Sequence, residues 1–281
     1  MLDLQLTTRS VDRAAFKHRK AMPGDVARVV QGPMRLRDET GKLRVVLVRP
    51  AEHDVAPVRT AVRSLPYARN DRSSGMWSRS CVFGFYPRVA TRHDFCRAAA
   101  SAATHPVEHA ALVKAATVAD QHYREHNPEL HAQHDAIVTE KIKPDYRMAG
   151  TPFTSGIANL TNPLHYHLDA GNFPDVWSAM FVFRRDVDGG LLVMPEFDLA
   201  IDFRDGDLIF FDGQGLLHGV SPITKTHPTG ARWSVVFYSL HQLWQCLTPE
   251  EELARIRRLR TEREAAPRTL ERVKKGKARR G

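Results

Sequence analysis

The sequence predicts an α+β protein whose core is a double-stranded β-helix (a cupin-like jelly roll), flanked by N-terminal helices and a C-terminal helix. From residue 150 onward, about eight short β-rich runs follow one another without an intervening helix, which is typical of a double-sheet jelly roll and not of a parallel sheet. On both sides of this block, apolar residues recur at the helical period of 3.6 residues.

Glycine turns divide the β-rich block into its runs. The turns are Asp188-Gly189-Gly190, Arg204-Asp205-Gly206 and Asp212-Gly213-Gln214-Gly215. The predicted strands of this block are Phe153–Thr161, Leu164–Leu168, Trp177–Phe183, Leu191–Met194, Leu199–Phe203, Leu208–Phe211, Leu216–Val220 and Trp233–Leu240.

The front half of the chain mixes strands and helices. We predict a strand at Arg44–Val48, a short helix at Ala56–Ser64 and a loop over the polar residues 69–80. The clearest helix starts at Pro106, a favoured first position, and Asn127-Pro128 ends it. One face of this helix carries apolar residues at helical spacing: Leu112, Ala115, Ala116, Ala119 and Tyr123.

The C-terminal part begins with a helix signal. Thr248-Pro249-Glu250-Glu251 is a capping box with proline in the first turn. Pro267 breaks this helix, and we expect the basic end after it to be disordered when alone. The chain therefore divides into an N-terminal α/β region that packs on the core (1–149), the jelly roll (150–245), and a helix with a basic tail (246–281).

Composition argues against several classes of protein. The 281 residues, with 42% hydrophobic and 26% charged residues, are ordinary for a soluble globular protein. No apolar run reaches the roughly 18 residues of a membrane span, and the N-terminus lacks the layout of a signal peptide, so we expect a soluble intracellular protein. Three cysteines (Cys81, Cys96 and Cys246), an odd number without metal-type spacing, argue against a disulfide framework and a zinc module.

The formal charge of +9 is unevenly distributed. Residues 248–281 hold twelve Lys/Arg and six Glu, a net charge of +6, so the first 247 residues carry only +3. A concentrated basic segment favours a polyanionic partner such as DNA or RNA. A solvated tail that aids solubility is the alternative.

A metal-binding constellation lies within the β-rich block. His167 and Asp169 are two residues apart and, in a strand, point to the same face. His218 follows 49 residues after Asp169, next to a glycine turn. Two imidazoles and one carboxylate form the facial triad of non-haem Fe(II) oxygenases, which leaves three coordination positions open, as many as a chelating 2-oxo acid and O₂ require.

A second constellation fits the co-substrate of such an enzyme. Arg232 comes 14 residues after His218 and points the same way as Ser234 on a predicted strand. A guanidinium and a hydroxyl can together hold the distal carboxylate of 2-oxoglutarate. Each motif alone is weak, but their joint occurrence in one jelly-roll pattern predicts an Fe(II)/2-oxoglutarate oxygenase.

Three stretches resemble the TET/JBP oxygenases, which hydroxylate the methyl group of 5-methylcytosine or thymine in DNA. They are HYHLDAGNFPDVWSAMFVF, GGLLVMPEFDLAIDFRDGDLIFFDGQGLLHGVSPI and RWSVVFYSL, within residues 150–241, with a fainter match at Gly75–Arg88 ending in FGFYPR. The size resembles that of the compact members found in phages and microbes. The resemblance implies a base-flipping 5-methylcytosine dioxygenase.

Position by position, the resemblance assigns roles to residues of this chain. His167, Asp169 and His218 become iron ligands, and Arg232 and Ser234 become 2-oxoglutarate ligands. Three further residues are implied to contact the flipped base: Asn172 by hydrogen bonds, Tyr238 by stacking, and His241 as a candidate base reader. For Asn172 a turn role before Phe173-Pro174 stays open, as does a core role for Tyr238.

One departure from the family pattern affects substrate choice. Cytosine-specific members place a base-reading histidine eight residues after the arginine, which is Leu240 here. His241 is adjacent, but a one-residue step along a strand turns a side chain to the other face unless the strand bulges. The choice between cytosine and thymine therefore stays open.

The expected partner is double-stranded, methylated DNA, without an obligate protein partner, and we expect a monomer. If a phage encodes the protein, its location is the bacterial cytoplasm. Two other hypotheses remain at this stage: a jelly-roll oxygenase that acts on protein or a small molecule, and a non-catalytic jelly roll that binds nucleic acid. The N-terminal region and the basic tail argue against the first of these.

Overall fold

The computed structural model describes residues 1–71, 77–89 and 95–265. The helices are α1 (Arg13–Phe16), α2 (Glu52–Ser64), α3 (Ser101–Thr104), α4 (Pro106–His126), α5 (Pro128–Lys141) and α6 (Pro249–Ala265). The strands are β1 (Leu2–Gln5), β2 (Arg28–Gln31), β3 (Met34–Arg37), β4 (Leu43–Val48), β5 (Ala68–Asp71), β6 (Trp77–Tyr86), β7 (Arg97–Ala98), β8 (Ser155–Leu160), β9 (Ser178–Arg185), β10 (Val187–Gly189), β11 (Leu192–Met194), β12 (Leu199–Asp202), β13 (Asp207–Phe211), β14 (Gly219–Val220), β15 (Ile223–Lys225) and β16 (Ala231–Tyr238).

Two main sheets form the jelly roll. The larger sheet has the order β1-β3-β4-β13-β9-β16-β8-β6-β5, with β7 paired to β6, and the smaller has the order β14-β11-β12-β2. Strands β10 and β15 form a separate ribbon. Helices cover the outer face of the larger sheet, so the predicted α+β jelly roll is confirmed.

Strand β9 explains how the sheet is packed on both sides. Met180 and Val182 face the core between the two sheets, whereas Ala179, Phe181 and Phe183 face the helices. Because neighbouring residues of a strand point to opposite faces, a strand covered on both sides reads as a continuous apolar run. The strand β16 alternates in the same way, which places Arg232 and Ser234 on the face opposite the helix-packed residues Trp233, Val235 and Phe237.

The first 149 residues supply strands to both sheets. Strand β4 pairs antiparallel with β13, and β2 pairs parallel with β12. Helix α4 has the predicted bounds, and its predicted apolar face is buried against the larger sheet. The predicted helix Ala56–Ser64 is part of α2, which begins four residues earlier.

Local signals misplaced several elements. Residues 69–80 do not form a single loop, because β5 pairs with β6; residues 72–76 lie outside the described part. Asn127 ends α4 but also caps α5, accepting a hydrogen bond from Leu130 N at 3.4 Å. Predicted strand Leu164–Leu168 has only an isolated bridge, and Leu216–Val220 shrinks to β14. Pairing partners distant in sequence decided the three strand assignments, whereas the Asn127 cap of α5 is a local contact.

The prediction against a disulfide was wrong for one pair of cysteines. Cys96 and Cys246 are bonded, with their Cα atoms 5.8 Å apart, and Cys81 is free. The two partners are 150 residues apart in sequence, and only the packing of the 3₁₀ helix His241–Gln245 near β7 brings them together. An odd number of cysteines still allows one pair.

The capping box is confirmed at the start of α6. Thr248 N donates to Glu251 Oε2 at 2.9 Å, and Glu251 N donates to Thr248 Oγ1 at 3.3 Å. Pro267 and the predicted disordered end lie outside the described residues. Within the described residues, no helix combines the length and the apolar character that crossing a membrane requires.

Candidate active site

His167 and His218 face each other across an isolated antiparallel bridge. The backbone N–H of each residue donates to the carbonyl oxygen of the other, with N···O distances of 2.9 and 3.2 Å. Directly opposed residues of such a bridge point to the same side, and the two imidazole centroids are 4.4 Å apart. The backbone itself therefore sets the spacing of the two histidines.

Asp169 completes a three-residue cluster. Its Oδ1 lies 3.5 Å from His167 Nε2 and 3.9 Å from His218 Nε2. The backbone N–H of Asp169 donates to Gly213 O at 2.8 Å, which ties the aspartate to the turn after β13. The potential ligand atoms of the three residues all lie within 4.8 Å of one another, so they can converge on one ion.

Both imidazoles are oriented for metal binding. His167 Nδ1 lies 2.8 Å from His165 O, and His218 Nδ1 lies 2.9 Å from Leu216 O. Because a carbonyl oxygen only accepts, each Nδ1 carries the proton and each Nε2 keeps its lone pair, as is usual for metal ligands. Burial, with a smaller contribution from His167, lowers the pKa of His218 to about 4, so its ring is neutral at pH 7. This donor set fits Fe(II).

Gly213 lies against the Asp169 carboxylate, although the sequence identified it only as part of a turn. A Cβ atom at this residue would lie 2.2 Å from Asp169 Oδ2. Real Cβ atoms do not approach an oxygen so closely, so any side chain at this position would displace the carboxylate. The glycine in the sequence predicted a turn, but a turn does not reveal which distant side chain packs against it.

Arg232 is buried on β16 with unsatisfied donors. Its exposed fraction is 3%, and its Nε and Nη2 have no hydrogen-bond partner among the described residues. Burial, followed by the charge of Arg184, lowers the pKa of Arg232. Buried donors without partners are rare in folded proteins, so the guanidinium is suited to an anionic ligand such as a carboxylate. Gly190 makes room for it, since a Cβ there would lie 2.7 Å from Arg232 Cδ.

Ser234 shares this environment two positions further along β16. It is buried, and its Oγ lies 3.2 Å from Asn159 Nδ2 on the neighbouring strand β8, where Asn159 is its register partner. The structure thus places Arg232 and Ser234 on one face, as the sequence predicted. Asn159, for which the sequence predicted no role, donates to the serine hydroxyl.

Asn172 lies in the segment that follows the metal cluster. It is buried, forms an isolated bridge with Leu240, and donates from Nδ2 to Ser178 Oγ at 3.1 Å. These contacts fix the side chain near the end of β16. The structure therefore brings Asn172 close to the residues that follow Tyr238.

Tyr238 is the last residue of β16 and is half-buried. It has the same strand parity as Arg232, about 20 Å further along at the usual rise per residue. Its hydroxyl oxygen lies 2.9 Å from that of Tyr86, at the end of β6. Tyr86 belongs to the segment FGFYPR, whose fainter resemblance to the family implied no role for this tyrosine.

His241 occupies a place that strand alternation did not predict. The strand stops at Tyr238, and His241 begins a 3₁₀ helix. Its side chain is exposed, and its Nδ1 lies 2.8 Å from Gly171 O, next to Asn172. Strand alternation does not apply to His241, because β16 ends at Tyr238, before Leu240.

Comparisons with known proteins identify the family of this chain. Residues 80–241 match the family model Tet_JBP, described as the oxygenase domain of the 2OGFeDO superfamily. The chain is 28% identical over 119 residues to the bifunctional helicase and thymine dioxygenase JBP2 of Trypanosoma brucei brucei (strain 927/4 GUTat10.1), an alignment that covers 42% of this chain and 11% of that protein. It is 25% identical over 217 residues to the thymine dioxygenase JBP1 of Crithidia fasciculata, which covers 72% of this chain and 25% of that protein.

A solved structure, NgTET1 in complex with 5mC DNA, matches with a TM-score of 0.50 at 14% identity, covering 83% of this chain and 90% of that one. At this identity the match establishes the fold alone. The chain corresponds to no more than a quarter of the length of the two curated relatives.

Proposed function

Because the chain belongs to the Tet/JBP oxygenase-domain family of the 2OGFeDO superfamily, we propose that it is an iron(II)- and 2-oxoglutarate-dependent dioxygenase of DNA. The proposed reaction is hydroxylation of the 5-methyl group of 5-methylcytosine to 5-hydroxymethylcytosine, with further oxidation left open. One observation carries the proposal: a two-histidine, one-carboxylate cluster occurs in the same jelly roll as a buried arginine with unsatisfied donors.

Each residue of the candidate metal cluster has its own role in holding the ion. His167 and His218 would hold the ion through Nε2, and Asp169 through a carboxylate oxygen. The carbonyl groups of His165 and Leu216 keep both rings in the required tautomer. With 2-oxoglutarate and O₂, an iron ion held by these residues would supply the oxidation, in which one oxygen atom enters the methyl C–H bond and the other enters succinate as CO₂ leaves.

Arg232 and Ser234 would bind the distal carboxylate of 2-oxoglutarate. The guanidinium is enclosed by Gly190 and lies 5.9 Å from the Phe203 ring centroid, so little water competes for its N–H groups. Charge-assisted hydrogen bonds of this kind are stronger than neutral ones. The carboxylate would remove the cost of the unpartnered donors, which favours binding of this dianion.

Asn172 and Tyr238 would hold the base. A methyl group stacked in duplex DNA cannot reach an ion inside a jelly roll, so the nucleotide must rotate out of the helix. The Asn172 amide offers both a donor and an acceptor to the pyrimidine edge, and the Tyr238 ring offers a stacking face. His241, exposed beside Asn172, would contact the base or the adjacent backbone. The proposed partner is methylated double-stranded DNA, bound by a monomer.

Thymine is the second candidate base. The two curated relatives are named as thymine dioxygenases, and Leu240 occupies the position where cytosine-specific members place a base-reading histidine. The methyl group is at the same ring position in both bases. Only the groups that contact the pyrimidine edge can distinguish them.

Mass spectrometry of nucleosides tests the proposal. The protein is incubated with Fe(II), 2-oxoglutarate and either 5-methylcytosine-containing or unmethylated duplex DNA, and the DNA is digested. 5-Hydroxymethylcytosine from the methylated duplex is the expected product. 5-Hydroxymethyluracil from both duplexes, without 5-hydroxymethylcytosine, would favour thymine.

The control is the Asp169→Ala variant, which should form neither product. Succinate is measured in parallel with and without DNA. If wild-type protein consumes 2-oxoglutarate equally in both cases and modifies no base, a protein or small-molecule substrate would replace DNA. If it neither binds iron nor forms succinate, the oxygenase proposal fails.

A further inference from the structure

Two tyrosines from different strands meet at the end of the candidate active site. Tyr86 ends β6, Tyr238 ends β16, and β8 lies between these two strands in the larger sheet. The Tyr86 hydroxyl lies 2.9 Å from Gly156 O of β8 and 2.9 Å from the Tyr238 hydroxyl. The contact between the two phenols therefore bridges across β8.

The direction of these hydrogen bonds follows from the groups involved. A carbonyl oxygen only accepts, so Tyr86 uses its single hydroxyl proton on Gly156 O. The remaining phenol contact can form only if Tyr238 donates to Tyr86. Tyr238 thus donates its proton to Tyr86, which restrains its hydroxyl and leaves the ring as a stacking surface.

The support beneath Tyr86 is rigid. Ser155 Oγ donates to Phe85 O at 2.5 Å, and Phe85 N donates to Thr154 O at 2.9 Å, which extends the β6–β8 pairing up to Tyr86. The Phe83 ring packs directly on Gly156, where a Cβ would lie 2.1 Å from it. Burial, with a contribution from Tyr238, raises the pKa of Tyr86, so this hydroxyl stays protonated.

We propose that Tyr86 is a positioning residue for the flipped base: its hydroxyl fixes the Tyr238 ring in the plane against which the pyrimidine stacks. This inference rests on the proposed function, since it assumes that Tyr238 stacks on the base. A phenylalanine at position 86 would keep the packing but remove the hydrogen bond between the two phenols. The Tyr238 ring would then sample other orientations, and each encounter with a flipped base would be less productive.

A double-mutant cycle tests the coupling between the two hydroxyls. Tyr86→Phe, Tyr238→Phe and the double variant are compared for the KM for DNA, the KM for 2-oxoglutarate, and kcat. Each single change should lower kcat/KM for DNA by about threefold to tenfold, the usual range for one hydrogen bond. The double variant should be no worse than either single variant, because both remove the same bond. The KM for 2-oxoglutarate should not change.

Tyr67→Phe is the matched control. It also removes a tyrosine hydroxyl that donates to a backbone carbonyl, that of Val62, but without a partner at the base end. Its kcat/KM for DNA should change less than twofold.

Several outcomes would overturn the inference. Multiplicative losses in the double variant, or a lowered melting temperature with unchanged DNA kinetics, would leave Tyr86 a structural role only. An active wild-type protein without coupling overturns the positioning role alone. A wild-type protein that forms no hydroxymethylpyrimidine on any duplex would instead overturn the proposed function, and this inference with it.

Discussion

The two ends of the candidate site are built differently. At the metal and co-substrate end, backbone pairing sets the His167–His218 spacing, and Arg232 keeps buried donors that no described residue satisfies. At the base end, Asn172 bonds to Ser178, and Tyr238 bonds to Tyr86. The first end presents unsatisfied groups on a rigid frame, whereas the second presents groups that already have partners.

This difference predicts which ligand each end favours. An unpartnered buried cation gains much from a carboxylate, so the co-substrate end should discriminate strongly between anions and neutral molecules. Groups that already have partners gain less from a new ligand, so the base end should contribute orientation more than affinity. Substitutions should therefore have larger effects at the metal end than at the base end.

The largest effect is expected at Asp169. Asp169→Ala removes the only carboxylate of the cluster and should lower turnover about a thousandfold or more, which corresponds to about 4 kcal/mol of barrier. Asp169→Glu should also fail, because the longer side chain displaces the ion. Succinate formation and product nucleosides measure the loss. Wild-type activity in Asp169→Ala would contradict the proposal that Asp169 is a metal ligand.

Gly213→Ala tests the same end without touching a ligand. The added methyl group would lie 2.2 Å from Asp169 Oδ2, and a displacement of about 1 Å at a reacting centre can cost about a hundredfold in rate. The control is Gly24→Ala, since nothing lies within 4 Å of a Cβ at Gly24. Iron affinity and turnover should both fall for Gly213→Ala only. Equal behaviour of the two variants would contradict the close packing at Gly213.

Arg232→Ala should separate the two ends. The KM for 2-oxoglutarate should rise about tenfold to a hundredfold, the range for a charge-assisted bond, while the KM for DNA stays constant. Arg185→Ala is the control, because Arg185 is exposed, donates to Thr229 O and lies over the Trp233 ring on the opposite face of β16. An unchanged 2-oxoglutarate requirement would show that Arg232 points elsewhere.

Asn172→Ala should affect the kinetics for DNA and not those for 2-oxoglutarate, and its effect should be smaller than that of Arg232→Ala. We expect kcat/KM for DNA to fall about tenfold, with the KM for 2-oxoglutarate unchanged, since one neutral hydrogen-bonding group is lost. Ser178→Ala is the matched control, because it removes the same internal bond but keeps the amide. Similar losses in the two variants would mean that Asn172 acts only through its contact with Ser178.

The smallest effect is expected at His134, which contacts Ser239 next to Tyr238, and the quantity affected is the stability of the fold. Burial lowers the pKa of His134 to about 3, and its Nε2 lies 2.8 Å from Ser239 Oγ, which itself donates to Pro152 O. The unfolded chain binds a proton at this histidine near pH 6.5, whereas the folded chain does not, so stability falls as the pH drops below about 6.5.

Between pH 7 and pH 5, His134 should cost about 2 kcal/mol of unfolding free energy. His134→Gln, which can still donate to Ser239 but does not titrate, should lose less stability over the same pH range. Urea unfolding at both pH values measures the difference. Equal acid sensitivity of the two proteins would show that His134 does not contribute.

The sequence by itself determined the jelly-roll architecture, and it predicted the residues of the candidate site. Repeated short apolar runs with glycine turns specify strands, because the two-residue period and the turn conformations are local properties of the chain. The helix that begins at Pro106 and the capping box at Thr248 could be predicted for the same reason, because both depend on residues close in sequence. His167, Asp169, His218, Arg232 and Ser234 were predicted together because their side-chain chemistry and spacing fit one iron and 2-oxoglutarate site, although residues 164–168 form only an isolated bridge and not the predicted strand.

Only the tertiary structure decided the contacts between distant segments. The hairpin of β5 and β6, the Cys96–Cys246 disulfide and the Tyr86–Tyr238 contact each join segments whose local sequence does not name the partner. The end of β16 at Tyr238, which sets the place of His241, was decided in the same way. Pairing and burial are properties of two surfaces at once, so a single segment could not specify them.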